Sequence, residues 1–181
     1  MSCTSLQKLS VNHLKFPLGN RISQENWNSL EVLNFERGLD LRSLRLVVKS
    51  CVELKELNLA RIDLSEVAIN FLVNNLTPKI KKLNLSWIGK KSARMKDEQI
   101  KTLVERCKEI TSLNLQGSEI TNKSITSIVE NLQFSLEELG ISYCSRNISY
   151  NKLLELKLMS KLKVLNCDGN DFKMVMNLKK D

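Results

Sequence analysis

The chain has 181 residues, of which 42% are hydrophobic and 27% charged, with only two prolines and six glycines. That balance fits one soluble, folded domain and excludes a disordered tail, a collagen-like rod and a membrane bundle, since no run of about 18 apolar residues occurs. Lysine and arginine outnumber the acids 28 to 20, a net charge of +8 that marks an acidic or nucleic-acid partner or simply solvated helix faces.

The first residues, Met1 to Gln7, lack the basic patch and apolar stretch of a secretory signal. From Leu6 onward one pattern, apolar-x-x-apolar-x-apolar, occurs seven times. Its copies are Leu6-Leu9-Val11, Leu30-Leu33-Phe35, Leu54-Leu57-Leu59, Ile80-Leu83-Leu85, Ile110-Leu113-Leu115, Leu136-Leu139-Ile141 and Leu162-Leu165-Cys167. Successive copies begin 24, 24, 26, 30, 26 and 26 positions apart. Each copy reads as a short strand whose second and third apolar residues share a face, because side chains alternate along a strand. Between copies the period becomes helical. Leu44, Val47, Val48 and Cys51 fall at i, i+3, i+4 and i+7, and Ile100, Leu103, Val104 and Cys107 repeat that phase. Ile125, Ile128, Val129 and Leu132 do so again, Leu72, Val73 and Leu76 match in part, and Leu153 to Met159 is less clearly phased. Thr121 and Asp97 are suitable helix starts, and Ser65 with Ala68 makes a poor capping box.

Strand and helix alternating at this interval specify an α/β leucine-rich-repeat horseshoe of about seven repeats. In that solenoid a parallel sheet lines the concave face and helices cover the convex face. One repeat buries too little apolar surface to offset the entropy of ordering its backbone, so the units must stack. Residues 1–181 therefore read as a single domain, without terminal caps. The residues after Cys167 read as the opening of one more convex segment. Cys3, Cys51 and Cys107 each lie three residues before a copy, at the end of the preceding convex segment. Cys144 and Asn170 stand where the chain turns out of the strand, and Cys167 replaces an inward leucine. Five cysteines, no C-x-x-C pair and no signal point to reduced, packed thiols in the cytoplasm or nucleus rather than to a metal site.

The segments Cys51-Val52-Glu53-Leu54-Lys55-Glu56-Leu57-Asn58-Leu59 and Cys107-Lys108-Glu109-Ile110-Thr111-Ser112-Leu113-Asn114-Leu115 resemble the cysteine-containing subclass of leucine-rich repeats. Leu136 to Cys144 supplies the subclass's turn cysteine; Leu14, Gly38, Ile62, Ile88 and Ser118 depart from it at that position. The subclass occurs mainly in F-box proteins, the substrate receptors of SCF ubiquitin ligases. The resemblance thus implies a non-enzymatic recognition module that holds a target protein for ubiquitination, without cofactor or metal. An F-box, which would bring the cullin adaptor, normally precedes such repeats. With the first copy at Leu6 there is no room for one, so the resemblance implies a fragment of a longer form.

No catalytic constellation accompanies the repeats. His13 is the only histidine, without a carboxylate or cysteine beside it in sequence, and the glycines are isolated rather than gathered in a phosphate loop. The candidate site is a binding surface. Between the inward residues of each strand the outward one is Ser10, Asn34, Asn58, Asn84, Asn114, Gly140 or Asn166. This row either hydrogen-bonds a peptide laid across the sheet or reflects a residue habitual at that position in such repeats. Lys8, Glu36, Glu56, Lys82, Glu138 and Asp168 flank it with both charge signs. Trp87 and Tyr143 fall just past their strands, as rim hot spots or packed under their own loops. The fourth copy is the longest, and from Lys79 to Lys96 it carries seven basic residues and no acid. Lys90, Lys91 and Arg94, beside Trp87, would dock an acidic or phosphorylated segment, unless the loop is merely solvated. Three functions stay open: an SCF-type substrate receptor, a protein-binding scaffold without ubiquitin chemistry, and a nucleic-acid binder working through the 79–96 stretch.

Overall fold

A computed structural model describes residues 6–11, 27–35, 39–89, 93–144, 148–169 and 175–177. Seven strands run parallel in one sheet: β1 (Lys8–Val11), β2 (Val32–Phe35), β3 (Glu56–Asn58), β4 (Lys82–Asn84), β5 (Ser112–Asn114), β6 (Glu138–Gly140) and β7 (Val164–Asn166). Five helices lie between them: α1 (Leu41–Ser50), α2 (Glu66–Asn75), α3 (Asp97–Arg106), α4 (Asn122–Leu132) and α5 (Tyr150–Leu156). Strand order equals chain order, as a coil of stacked repeats requires.

The register has no slip. Leu9, Leu33, Leu57, Leu83, Leu113, Leu139 and Leu165 align across the sheet and point one way. From Leu33 onward this ladder is buried, with the first and third apolar residues of each hexamer beside it, and the helices close over it. Leu44, Val47 and Val48 of α1, Ile100, Leu103 and Val104 of α3, and Ile125, Ile128 and Leu132 of α4 are all buried. A one-residue shift would turn every strand leucine outward, so the pattern itself fixes the pairing. Leu9, on the first strand, is only partly buried.

The helix starts follow ordinary capping chemistry. Asp40, Ser65, Thr121 and Ser149 accept from backbone N–H groups two or three residues on. Ser65 does so despite the incomplete box around it. Asp97 behaves differently, being the first residue of α3 rather than its cap. Its carboxylate reaches the next repeat and accepts from Thr121 N (2.8 Å), Thr121 Oγ1 (2.7 Å), Ser124 N (3.2 Å) and Ser124 Oγ (2.5 Å). The same bracing joins Asn122 to Ser149 and Gln99 to Asn70.

The far edge of the sheet differs from the sequence reading. The last stretch does not open a convex segment there; a short strand, β8 (Val175–Asn177), pairs antiparallel with β7. The cause is length. A parallel crossover takes about a dozen residues or more, and fewer separate Asn166 from Val175. The parallel ladder therefore ends in a reversed strand.

Cys51 and Cys107 sit at the C-caps of α1 and α3, and Cys144 sits in the strand-exit turn, its thiol donating to Leu115 O at 3.3 Å. These three and Cys167 are buried. Burial pushes the Cys51 thiol up to about 12 and those of Cys107 and Cys144 up to about 11. Where the turn cysteine is replaced, Ile62, Ile88 and Ser118 fill the same interior position. Cys3, Leu14, Gly38 and Asn170 lie outside the described residues, as does His13. Among the described residues no helix is long and apolar enough to cross a membrane.

Candidate functional site

Two surfaces gather the residues singled out from sequence. The first is a trough of about 370 Å³ on the concave face, lined by Ser10, Asn34, Asn58, Asn84, Asn114 and their flanking residues. Asparagine recurs there for a local reason. Asn58 Oδ1 accepts from Ala60 N at 3.0 Å, Asn84 Oδ1 from Ser86 N at 3.1 Å, and Asn114 Oδ1 from Gln116 N at 3.0 Å. Each carboxamide thus closes an Asx turn that carries the chain out of its strand. The Oδ1 of Asn34 is buried without a partner among the described residues. Gly140 takes the sixth place because a Cβ there would come within 2.9 Å of Asn114 Oδ1. Asn166 is exposed on β7, beyond the residues that line the trough.

Ion pairs join neighbouring repeats at the trough and beside it. Glu56 pairs with Lys82 at 2.9 Å, Glu31 with Lys55 at 2.7 Å and Glu137 with Lys163 at 2.7 Å. The hydrogen bond from Lys82 to Glu56, together with that carboxylate's charge, raises the Lys82 ammonium above its ordinary value. Glu36 lies outside the described residues.

The second surface is the rim. Two residues past the third apolar position of the third to seventh copies the backbone turns left-handed, at Arg61 (φ 60°), Trp87 (55°), Gly117 (79°), Tyr143 (53°) and Gly169 (71°). The N–H of each of the first four donates to a carbonyl of the following repeat, at 2.7–2.9 Å, so the sheet's ladder continues into the turn. Aromatic and glycine alternate along this column for a steric reason. The Trp87 ring lies where a Cβ on Gly117 would be, 2.3 Å from its nearest atom, and Tyr143 covers Gly169 at the same distance. The two rings approach to 5.9 Å between centroids, and the Arg94 guanidinium lies 5.7 Å from the Trp87 centroid. Trp87 is half-buried, whereas Tyr143 is 53% exposed.

Beside this cluster a groove of about 660 Å³ runs between the fourth and fifth repeats, with Arg94, Lys96, Asp97, Glu119, Lys123 and Tyr143 among its lining residues. The long fourth copy is tied down along its inner side: Met95 is fully buried and its carbonyl accepts from Glu119 N at 2.8 Å. Burial by itself would raise the Asp97 carboxyl, but the hydrogen bonds from Ser124 and Thr121 outweigh it and hold it below the ordinary 3.8.

The structure therefore brings Trp87, Tyr143 and Arg94 together and sets Asn34, Asn58, Asn84 and Asn114 in one trough; Lys90 and Lys91 lie outside the described residues. Lys79 pairs with Glu53, Lys82 with Glu56 and Lys96 with Glu66, so three of the seven cations in the 79–96 stretch meet a carboxylate of the preceding repeat. The sequence reading passed over Gly117 and Gly169 as parts of the rim. Their constant offset from the strand was the available signal.

No curated protein sequence matches the chain. Among solved structures it is similar to the tropomodulin C-terminal domain of Caenorhabditis elegans, at 17% identity and a TM-score of 0.40, with 86% of this chain and 82% of that one covered. The SKP2 LRR domain family matches residues 1–178, and over that length the chain belongs to it, a leucine-rich-repeat domain of the protein-interaction kind found in F-box/LRR receptors.

Proposed function

We propose that this chain is the substrate-recognition part of an F-box ubiquitin ligase receptor, without catalysis of its own, holding a target protein while ubiquitin is transferred to it. The observation that carries this reading is membership of the SKP2 LRR family along nearly the entire chain. The rim supports it: an exposed tyrosine, a tryptophan and an arginine in one cluster are the residue types on which protein interfaces concentrate their binding energy. The target presents an acidic or phosphorylated segment to Arg94, with Lys90 and Lys91 close by in sequence.

The test is to express the full-length product of the gene with an affinity tag, recover it from cells and probe for the cullin adaptor and for cullin-dependent ubiquitin conjugates. The adaptor should co-purify, through an F-box in the complete reading frame. A complete frame without an F-box, together with no recovered adaptor, overturns the ligase reading and leaves a binding scaffold. Replacing Lys90, Lys91 and Arg94 by glutamate should abolish target capture while adaptor recovery persists; capture at the wild-type level would remove this segment from the site.

A further inference from the structure

The concave trough has a hydrogen-bonding polarity that residue names alone do not reveal. A carboxamide carries one acceptor oxygen and a two-proton donor. In Asn58, Asn84 and Asn114 the oxygen is committed to the N–H two residues on, and a backbone N–H cannot donate to an NH2, so each amide has one orientation. None of the three Nδ2 groups finds an acceptor among the described residues. Of the carboxylates in the flanking column, Glu56 lines the trough and is paired with Lys82, and Glu138, on the next strand beyond the lining, accepts from Ser112 Oγ at 2.9 Å. The floor thus offers donors in excess, in a column repeated from strand to strand.

We propose that this trough holds an extended acidic segment of a partner protein, whose carboxylate oxygens accept hydrogen bonds from Nδ2 of Asn58, Asn84 and Asn114. The proposal deepens the protein-recognition reading and rests on it. A carboxylate accepts and never donates, and its bonds to N–H groups are charge-assisted. A glutamine or asparagine in the same place brings an NH2 donor along with its acceptor oxygen, and that donor finds little here to receive it. The net charge of +8 draws an acidic segment towards the arc. The lining residues span five strands, about 19 Å at ordinary strand spacing, which is the length of about six extended residues.

The experiment uses the triple variant Asn58→Asp, Asn84→Asp, Asn114→Asp. An aspartate oxygen still accepts the N–H two residues on, so the turns persist while the outward donors become acceptors. Binding is read by fluorescence polarisation with short labelled peptides alternating threonine with glutamate, glutamine or lysine, and with a single-stranded DNA oligonucleotide. The wild type should bind the glutamate peptide best, with affinity falling as salt rises. The triple variant should lose about tenfold or more, since each hydrogen bond to a charged group contributes about that factor or more, and should gain affinity for the lysine peptide. Asn84→Asp alone should show part of the loss at wild-type thermal stability.

Equal binding of glutamate and glutamine peptides, tighter binding of the oligonucleotide, or undiminished glutamate binding by a folded triple variant would each overturn the proposal. Adaptor recovery, measured on the same proteins, does not depend on the trough. A negative peptide result therefore leaves the receptor reading standing, and a missing adaptor leaves the trough assignment standing.

Discussion

Gly117 is where a single residue decides whether two repeats fit. Its φ of 79° is open to glycine at little cost, and the face of Trp87 occupies the space a side chain would need. Gly117→Ala should cost about 1–3 kcal/mol, from left-handed backbone strain and displacement of the ring, seen as a lower denaturation midpoint and altered tryptophan emission. The same substitution at Gly140 presses on the Asn114 carboxamide but involves no left-handed backbone, and should cost less. Cys51, Cys107, Cys144 and Cys167 are shielded from reagents in solvent. Thiols pushed up to about 11 or 12 and buried should resist Ellman's reagent at pH 8 in the native protein and react on unfolding. Rapid native labelling of Cys51, Cys107 or Cys144, resolved by mass spectrometry, would contradict their interior placement. Their positions were legible from spacing alone. The Asx turns behind the asparagine row were not, because a sequence shows that a residue recurs without showing which of its atoms is engaged.

Neighbouring helices are braced at their starts, where Asp97 joins α3 to α4. Removing its carboxylate strands the Thr121 N–H and two hydroxyls, while Ser124 N keeps its bond to Thr121 O, so Asp97→Ala should destabilise by about 1–3 kcal/mol in urea unfolding. The pH dependence has a definite sign. Because the folded carboxyl sits below the ordinary 3.8, its contribution is complete above that value and disappears as the pH falls through the folded pKa. Acid unfolding should therefore be less steep in Asp97→Asn than in the wild type. Strand and helix phases were readable because burial imposes periods of 2 and 3.6 on the apolar residues. The direction in which Asp97 points was not, since aspartate at a helix start ordinarily serves its own helix, and only stacking brings Thr121 and Ser124 within reach.

Across the whole molecule, stability comes from contacts between neighbouring repeats, so it should be greatest in the interior of the array. Leu113→Ala, at a fully enclosed rung, should cost about 2–5 kcal/mol, and Leu9→Ala on the partly covered first strand distinctly less. Native-state hydrogen exchange should report the strongest protection in β4 to β6, and uniform protection from β1 to β7 would argue against nearest-neighbour stacking. The parallel coil was legible from seven hexamers at near-constant spacing, whereas the reversal at β8 was not. Strand direction there is governed by the length of the connection, which carries no apolar period. That reversed last strand has a consequence for self-association. β8 runs against the other rungs, so a strand parallel to β7 that paired on its outer side would meet it antiparallel, and the parallel ladder could not simply be copied across it.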